Sequence, residues 1–371
     1  MGQDQLKIAF VIPGIAGGGV RSVLRIATGL ASRGHQVRVL YRHPRRKPRD
    51  LARTYYLKLR YGGGEHWRRR LPDVVHPYRT LTPELVGSND VVIGVGVSCV
   101  LEIADLPERC GIKVHNSRGA EPWIVEKMSA AWRLSMPRIV VGSHLVELMR
   151  QRGSDDPISV AHNGVDRAEY FPALPPEARD GVGTVYHGGV AKDPKLILNV
   201  LNALHERCPS TPLYVFGTFP RPKALPHKAT YVRFPKLPVA RDLYSRSLVW
   251  FLASRNEGLP NPLLEAMACG CAVVSTDCGG ASDIITHGEN GLIVPVGDAE
   301  AMTSAILELL RDEPLRRRFT LACTEVLERF TWPAAVASFE TALLSIGSAG
   351  RSHPGETPPA RSSPSPAMRT R

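Results

Sequence analysis

The segment Asn256-Glu257-Gly258-Leu259-Pro260-Asn261-Pro262-Leu263-Leu264-Glu265-Ala266-Met267-Ala268-Cys269-Gly270 sets two carboxylates on either side of a Gly-Leu-Pro turn. The turn opens a helix that leads into the apolar strand Ala272-Val273-Val274-Ser275. Pro260 and Pro262 suit a first helical turn, where a missing N–H has no intrahelical partner to lose. The free amides of that turn make a positive pole suited to a diphosphate. Glu265 lies farther along. An ionised carboxylate has two acceptor oxygens and no donor, which fits it to both hydroxyls of a ribose diol beyond the phosphates. By pattern alone, Glu265 is equally a surface position on a helix whose inner face is Leu263, Leu264, Met267 and Ala268, and Glu257 is equally a charge favourable to the helix N-terminus.

The elements outside this segment repeat one theme. Lys7-Ile8-Ala9-Phe10-Val11-Ile12-Pro13 is an apolar strand, followed by glycines and by Val23, Leu24, Ile26, Ala27 and Leu30 at helical spacing, then by Val37-Arg38-Val39-Leu40: a βαβ unit. Asp90–Gly96, Gly111–His115 and Arg138–Gly142 continue as buried strands. Such alternation predicts an α/β fold with a doubly wound parallel sheet. Regular patterning breaks at 171–182, where Pro172, Pro175 and Pro176 read as a linker, and resumes with strands at Thr184–Tyr186, Leu213–Phe216, Thr230–Val232, Leu248–Leu252, Ala272–Ser275 and Leu292–Val294. At 371 residues, two such domains are expected, 1–170 and 183–331, facing one cleft. A last helical pattern holds Val336, Phe339, Leu343 and Leu344 over 332–346, and the Pro, Ser, Arg and Gly of 347–371 predict a disordered tail.

Composition narrows the classes. Hydrophobic residues make up 43% of the chain, but no apolar run approaches the roughly 20 residues needed to span a bilayer, and Met1–Gln5 lacks the features of a signal peptide. A cytoplasmic protein is expected. Seven cysteines without a paired framework read as core residues rather than metal ligands, and no Asp-x-Asp or His-rich spacing is present, so no metal site is predicted. The net charge of +12 is uneven: residues 1–170 carry 26 Lys and Arg against 16 Asp and Glu, while 171–371 carry 21 against 19. The densest stretch, 42–70, interleaves Tyr55, Tyr56, Tyr61 and Trp67 with arginines, and reads either as a solvated loop or as one touching an anionic membrane surface. Nucleic acid is not expected as a partner, since no known binding module accompanies the charge.

Glu257 and Glu265 have the Glu-x7-Glu spacing of the family-4 retaining glycosyltransferases of GT-B fold, and the Glu-Ala-Met-Ala-Cys-Gly run that follows is similar too. Gly17-Gly18-Gly19-Val20-Arg21 resembles the amino-terminal glycine loop of such enzymes, Asn163-Gly164-Val165-Asp166 their inter-domain motif, and Gly288–Pro295 their late turn and strand. Four motifs in the family's order make a specific signal over most of the chain. Bacterial polysaccharide or rhamnan-type enzymes are the nearest in character. The resemblance implies two Rossmann-like domains, a closing helix crossing back to the first, and a metal-independent reaction with no cofactor.

It also implies roles. Gly18 and Gly19 approach the donor's phosphates or sugar, Glu265 takes the ribose, Glu257 approaches the donor sugar or its phosphates, and Leu259 marks the helix opening. In the family an arginine and a lysine replace the metal, yet Gly189 stands where the arginine is expected. That leaves Lys192 or Lys195 as the phosphate lysine, with Arg255 and Arg21 as compensating cations. His115, with Arg118 and Glu121 after it, resembles the acceptor-side region. The expected activity is transfer of a hexose or deoxyhexose from a nucleoside diphosphate sugar to a hydroxyl of a glycan, glycolipid or small molecule, with retention. A catalytically impaired nucleotide-sugar-binding protein and a nucleotide-sugar epimerase are the alternatives.

Overall fold

The computed structural model describes residues 5–14, 18–43, 74–119 and 125–351. The first strand, β1 (Lys7–Ile12), is buried at all but its first residue, as expected of a strand covered on both faces. It lies in a seven-stranded sheet with β2 (Gln36–Arg42), β3 (Val75–Tyr78), β4 (Val91–Val95), β5 (Ile112–Ser117), β6 (Arg138–Val140) and β7 (Ile158–Val160), in the order β3-β2-β1-β4-β5-β6-β7. The second sheet holds β8 (Gly181–Tyr186), β9 (Leu213–Gly217), β10 (Thr230–Arg233), β11 (Ser247–Leu252), β12 (Ala272–Thr276) and β13 (Leu292–Val294), in the order β10-β9-β8-β11-β12-β13. Their pairings are parallel. The winding therefore reverses between β1 and β4 in one sheet and between β8 and β11 in the other, the crevices where ligands of open α/β sheets bind.

Three boundaries differ from the sequence expectation. β3 and β7 are short edge strands of four and three residues, and β7 is only half-buried, so neither carries a hydrophobic run to announce it. β8 begins at Gly181, inside the expected linker. A Cβ on Gly181 would lie 2.4 Å from the ring of Tyr214, and one on Gly183 would lie 2.2 Å from the indole of Trp250. These glycines serve close packing beneath large rings, not a flexible connection.

The lobes are joined by two crossings that run side by side. Val165 N–H donates to the Phe330 carbonyl at 2.8 Å, Val165 and Thr331 form a parallel bridge, and a Cβ on Gly164 would fall 2.3 Å from the Thr331–Trp332 peptide. That contact gives the glycine of the Asn-Gly-Val-Asp motif its physical reason. The helix Trp332–Arg351 then packs back on the first sheet: Phe339 meets Phe10 with ring centroids 5.9 Å apart, and Val336 fills the space above Gly29. It runs to Arg351, past the expected end at 346, and the rest of the tail lies outside the described residues. Six cysteines are buried, Cys208 is partly exposed, and none forms a disulfide. Among the described residues no helix is long and apolar enough to cross a membrane.

Candidate active site

The loop after β11 carries Ser254 to Gly258 past the carboxyl edge of the second sheet, and the turn after β8 brings His187 to Lys192 beside it. Glu257 is fixed twice through its backbone: its N–H donates to the Cys278 carbonyl at 2.8 Å, and it forms a parallel bridge with Gly279. Its carboxylate is clasped by the Lys192 ammonium and accepts from Ser254 Oγ at 2.7 Å. Both partners lie at the switch point of the sheet. Lys195 is exposed in the first turn of the helix Pro194–Arg207, so Lys192 is the lysine at the carboxylate. Arg255 turns outward and pairs with Asp193 at 2.7 Å. Asp193 sits at φ 40°, strained for a non-glycine residue, where its carboxylate caps Leu196 N–H at 3.2 Å.

Glu265 occupies the second turn of the helix Asn261–Ala268, its side chain 16% exposed. The buried hydroxyl of Tyr244 donates to one oxygen at 2.9 Å, and Arg21, from the glycine-led helix of the first lobe, reaches the other at 3.4 Å. Burial pushes the Glu265 carboxyl above its usual range, while Arg21 and the tyrosine hydroxyls of 244 and 170 oppose the shift. Arg21 also donates to Tyr170 at 3.1 Å, whose ring meets that of Tyr244 edge-on at 6.1 Å. Arg25, one turn on, pairs with Asp166 at 3.0 Å and Glu169 at 2.5 Å. The inter-lobe motif and the glycine helix are therefore tied into the same ionic network as Glu265.

A second chain of polar contacts crosses the cleft: Arg118 donates to Asn163 at 2.5 Å, Asn163 to Asn261 at 2.7 Å, and Asn261 to Ser22 at 3.1 Å. Burial lowers the Arg118 guanidinium to about 10. Beside it, the backbones of the lobes touch. A Cβ on Gly258 would lie 2.1 Å from the Arg118 carbonyl, and one on Gly142 would lie 2.2 Å from the Gly258 carbonyl. Leu259, next in the loop, is buried. Gly18 and Gly19 open the helix Gly18–Ser32, and nothing lies within 4 Å of where a Cβ of Gly19 would stand, so packing does not demand a glycine there.

His115 differs from expectation. β5 continues to Ser117, so His115 is interior and 1% exposed rather than at an open strand end. Burial, helped by Arg138, lowers its imidazole to about 3, and its Nδ1 has no partner. In this structure it is a buried, neutral histidine rather than an exposed one. Glu121, Gly17 and residues 44–73, which include most of the basic aromatic stretch, lie outside the described residues. Among the described residues no three His, Cys, Asp or Glu side chains gather as a metal site.

Sequence reasoning missed Tyr170, Tyr244, Ser254 and Asn261. Only Tyr244 left a signal: a tyrosine on the inner face of an amphipathic helix needs a partner for its hydroxyl, though nothing local says that the partner is Glu265.

A family model described as Glycosyltransferase Family 4 matches residues 16–169, and one described as Glycosyl transferases group 1 matches residues 182–312, between them most of the chain. The N-acetyl-alpha-D-glucosaminyl L-malate synthase of Bacillus anthracis is 36% identical over 101 residues, 27% of this chain and 26% of that protein. The D-inositol 3-phosphate glycosyltransferase of Corynebacterium urealyticum is 28% identical over 187 residues, 46% of this chain and 44% of that protein. The matches thus span from about a quarter to under half of those relatives' length. In architecture the chain is similar to Anabaena HepE, solved with UDP and glucose, at a TM-score of 0.72 and 15% identity over 92% of this chain and 100% of that one. It is also similar to the lipopolysaccharide outer core galactosyltransferase WaaB, at a TM-score of 0.69 and 16% identity over 91% and 99%. With two parallel Rossmann-like sheets facing a cleft that carries the paired glutamates, this chain belongs to the family-4 glycosyltransferases of GT-B fold.

Proposed function

We propose that the protein is a retaining glycosyltransferase that takes a hexosyl or deoxyhexosyl group from a nucleoside diphosphate sugar and passes it to a hydroxyl of a glycan, glycolipid or small molecule. The observation that carries this reading is the pairing of two carboxylates at the switch point of the second lobe. Glu265 is held by Tyr244 and shielded from water, and Glu257 is bound to Lys192 and Ser254. A ribose diol would use the lone pairs of the Glu265 carboxylate that Tyr244 and Arg21 leave unoccupied. The diphosphate would then lie toward the amides that open the helix near Leu259 and toward Lys192, with the glycine-led helix at Gly18 and Gly19 above it.

As the bond from the anomeric carbon to the diphosphate breaks, its electron pair passes to a phosphate oxygen. Preorganised amides and Lys192 stabilise the charge that grows there, in the role a metal ion takes elsewhere. The acceptor oxygen bonds to the anomeric carbon on the face the leaving group vacates, and its proton passes to a phosphate oxygen. Arg118, buried and joined to Asn163, would serve the acceptor side. The names of the two relatives, with L-malate and D-inositol 3-phosphate, support the small-molecule end of this range. The basic stretch 42–70 fits adsorption to an anionic membrane surface at which such acceptors are made, and neutralising Arg68, Arg69 and Arg70 should weaken vesicle sedimentation at low salt.

The test is product analysis. Purified protein is incubated with a panel of UDP-, GDP-, ADP- and dTDP-sugars and candidate acceptors, and the anomeric configuration of the product is read by NMR. A product of retained configuration, lost in Glu265→Ala, supports the reading. Inversion, or release of an altered free sugar without acceptor, contradicts it.

A further inference from the structure

The turn after β8 is built around one imidazole. His187 packs edge-on against Phe219, ring centroids 4.8 Å apart, and its Nδ1 accepts the Gly189 N–H at 3.0 Å. A ring nitrogen that accepts from a backbone amide carries no proton, so the neutral imidazole has its proton on Nε2 and presents a donor there. His187 is partly exposed, and among the described residues Nε2 has no hydrogen-bond partner, which leaves that N–H available. Burial and then the Lys192 charge favour the neutral form, and the Glu257 charge opposes them.

The two glycines that follow are constrained by the same ring system. A Cβ on Gly188 would fall 2.9 Å from Phe219, and one on Gly189 would fall 2.9 Å from His187 Nδ1. Any side chain at 189 must therefore displace the imidazole. His187 and Gly189 are alternatives for one volume: a chain with this histidine cannot also carry an arginine at 189 without moving the ring. Position 189 offers no cation, and the space beside it is taken by the imidazole, on the same turn that carries Lys192.

We infer that His187 is a diphosphate-binding residue of the donor site, its Nε2–H donating to a phosphate oxygen where position 189 offers no side chain. The assignment rests on the reading of this cleft as a nucleotide-sugar site. It makes the grip on the diphosphate one neutral donor and one ammonium, His187 and Lys192, instead of two cations.

The experiment is isothermal titration of the full chain with UDP, GDP, ADP and dTDP and with the matching monophosphates. It compares wild type, His187→Phe, which keeps a ring against Phe219, and His187→Gln, which restores an N–H donor. Removing one hydrogen bond to a charged oxygen corresponds to about a tenfold change in affinity. The expected result is about tenfold weaker diphosphate binding by H187F, monophosphate binding within about twofold, and diphosphate binding by H187Q within about threefold of wild type. Equal diphosphate affinity in wild type and H187F, or equal loss for mono- and diphosphates, overturns the assignment of His187 alone. Failure of wild type to bind any nucleoside diphosphate overturns the reading of the cleft and the assignment with it. If H187F proves unfolded, His187→Ala supplies the same comparison without a bulky ring.

Discussion

Arg21 of the first lobe and Glu265 of the second meet across the cleft at 3.4 Å, although 244 residues separate them in sequence. The contact joins the glycine-led helix to the carboxylate assigned to the ribose, so it reports whether the lobes are in register. Arg21 is substantially exposed, so its removal should cost at most about 1 kcal/mol of stability. Arg21→Ala is therefore expected to melt within a few degrees of wild type and to lose about tenfold in kcat/KM, about 1.4 kcal/mol of transition-state stabilisation. Unchanged kcat/KM would show the contact to be incidental.

Burial raises the Glu265 pKa above its usual value near 4.5. A carboxyl whose folded pKa exceeds its unfolded one favours the folded state fully below the unfolded value, and that benefit is lost as pH rises through the folded value. At neutral pH without ligand, ionised Glu265 is thus a burden on the fold. Glu265→Gln is expected to match or exceed the wild-type melting temperature at pH 7, with the advantage vanishing as pH falls below about 4, while donor affinity drops. Thermal melts over pH check this, and a markedly less stable variant at pH 7 would contradict it.

His115 shifts the opposite way in effect. Its folded pKa of about 3 lies below the unfolded value of 6.5, so the folded state resists a proton that the unfolded chain accepts. Stability should be full above pH 6.5 and decline as pH drops toward 3, by about 2 kcal/mol at pH 5 from this group alone. His115→Gln should flatten that part of the stability profile measured by denaturant titration. A wild-type profile level from pH 7 to pH 5 would count against a buried neutral histidine.

Gly142 approaches the Gly258 carbonyl from the opposite lobe, with a Cβ clearance of 2.2 Å. Gly142→Ala should wedge the lobes apart by a fraction of an ångström. With the donor assigned to the second lobe, its affinity should stay within about threefold, while kcat falls by ten- to a hundredfold through misplacement of the reacting groups. Steady-state kinetics with titration calorimetry separates the two, and a variant with wild-type kcat would show that this contact does not limit catalysis.

Much of the fold and part of the site are legible in the sequence, for identifiable reasons. Apolar runs such as Ile8–Ile12 and Val249–Leu252 lie in sheets covered on both sides, so burial writes itself into composition. Glu257 and Glu265 stand out because both sit on one short local segment. β3 and β7 do not, because an edge strand buries too little to need a pattern, and Gly181 and Gly183 read as linker because Tyr214 and Trp250, which require them, lie 33 and 67 residues away respectively. Tyr244, Tyr170 and Arg21 converge on Glu265 from three distant parts of the chain, a relation no local window contains. His115 misleads for a converse reason: a polar residue at the end of an apolar run suggests a strand end, whereas here the strand runs on and buries it.

The most direct test is calorimetric titration of the UDP-, GDP-, ADP- and dTDP-sugars into wild type and Glu265→Ala in the presence of EDTA. Wild type should bind at least one donor without divalent metal, and the variant should bind that donor at least about tenfold more weakly, the loss of charge-assisted hydrogen bonds to the ribose. Donor binding that demands magnesium, or that is as tight without the Glu265 carboxylate, would contradict a metal-free grip centred on this residue.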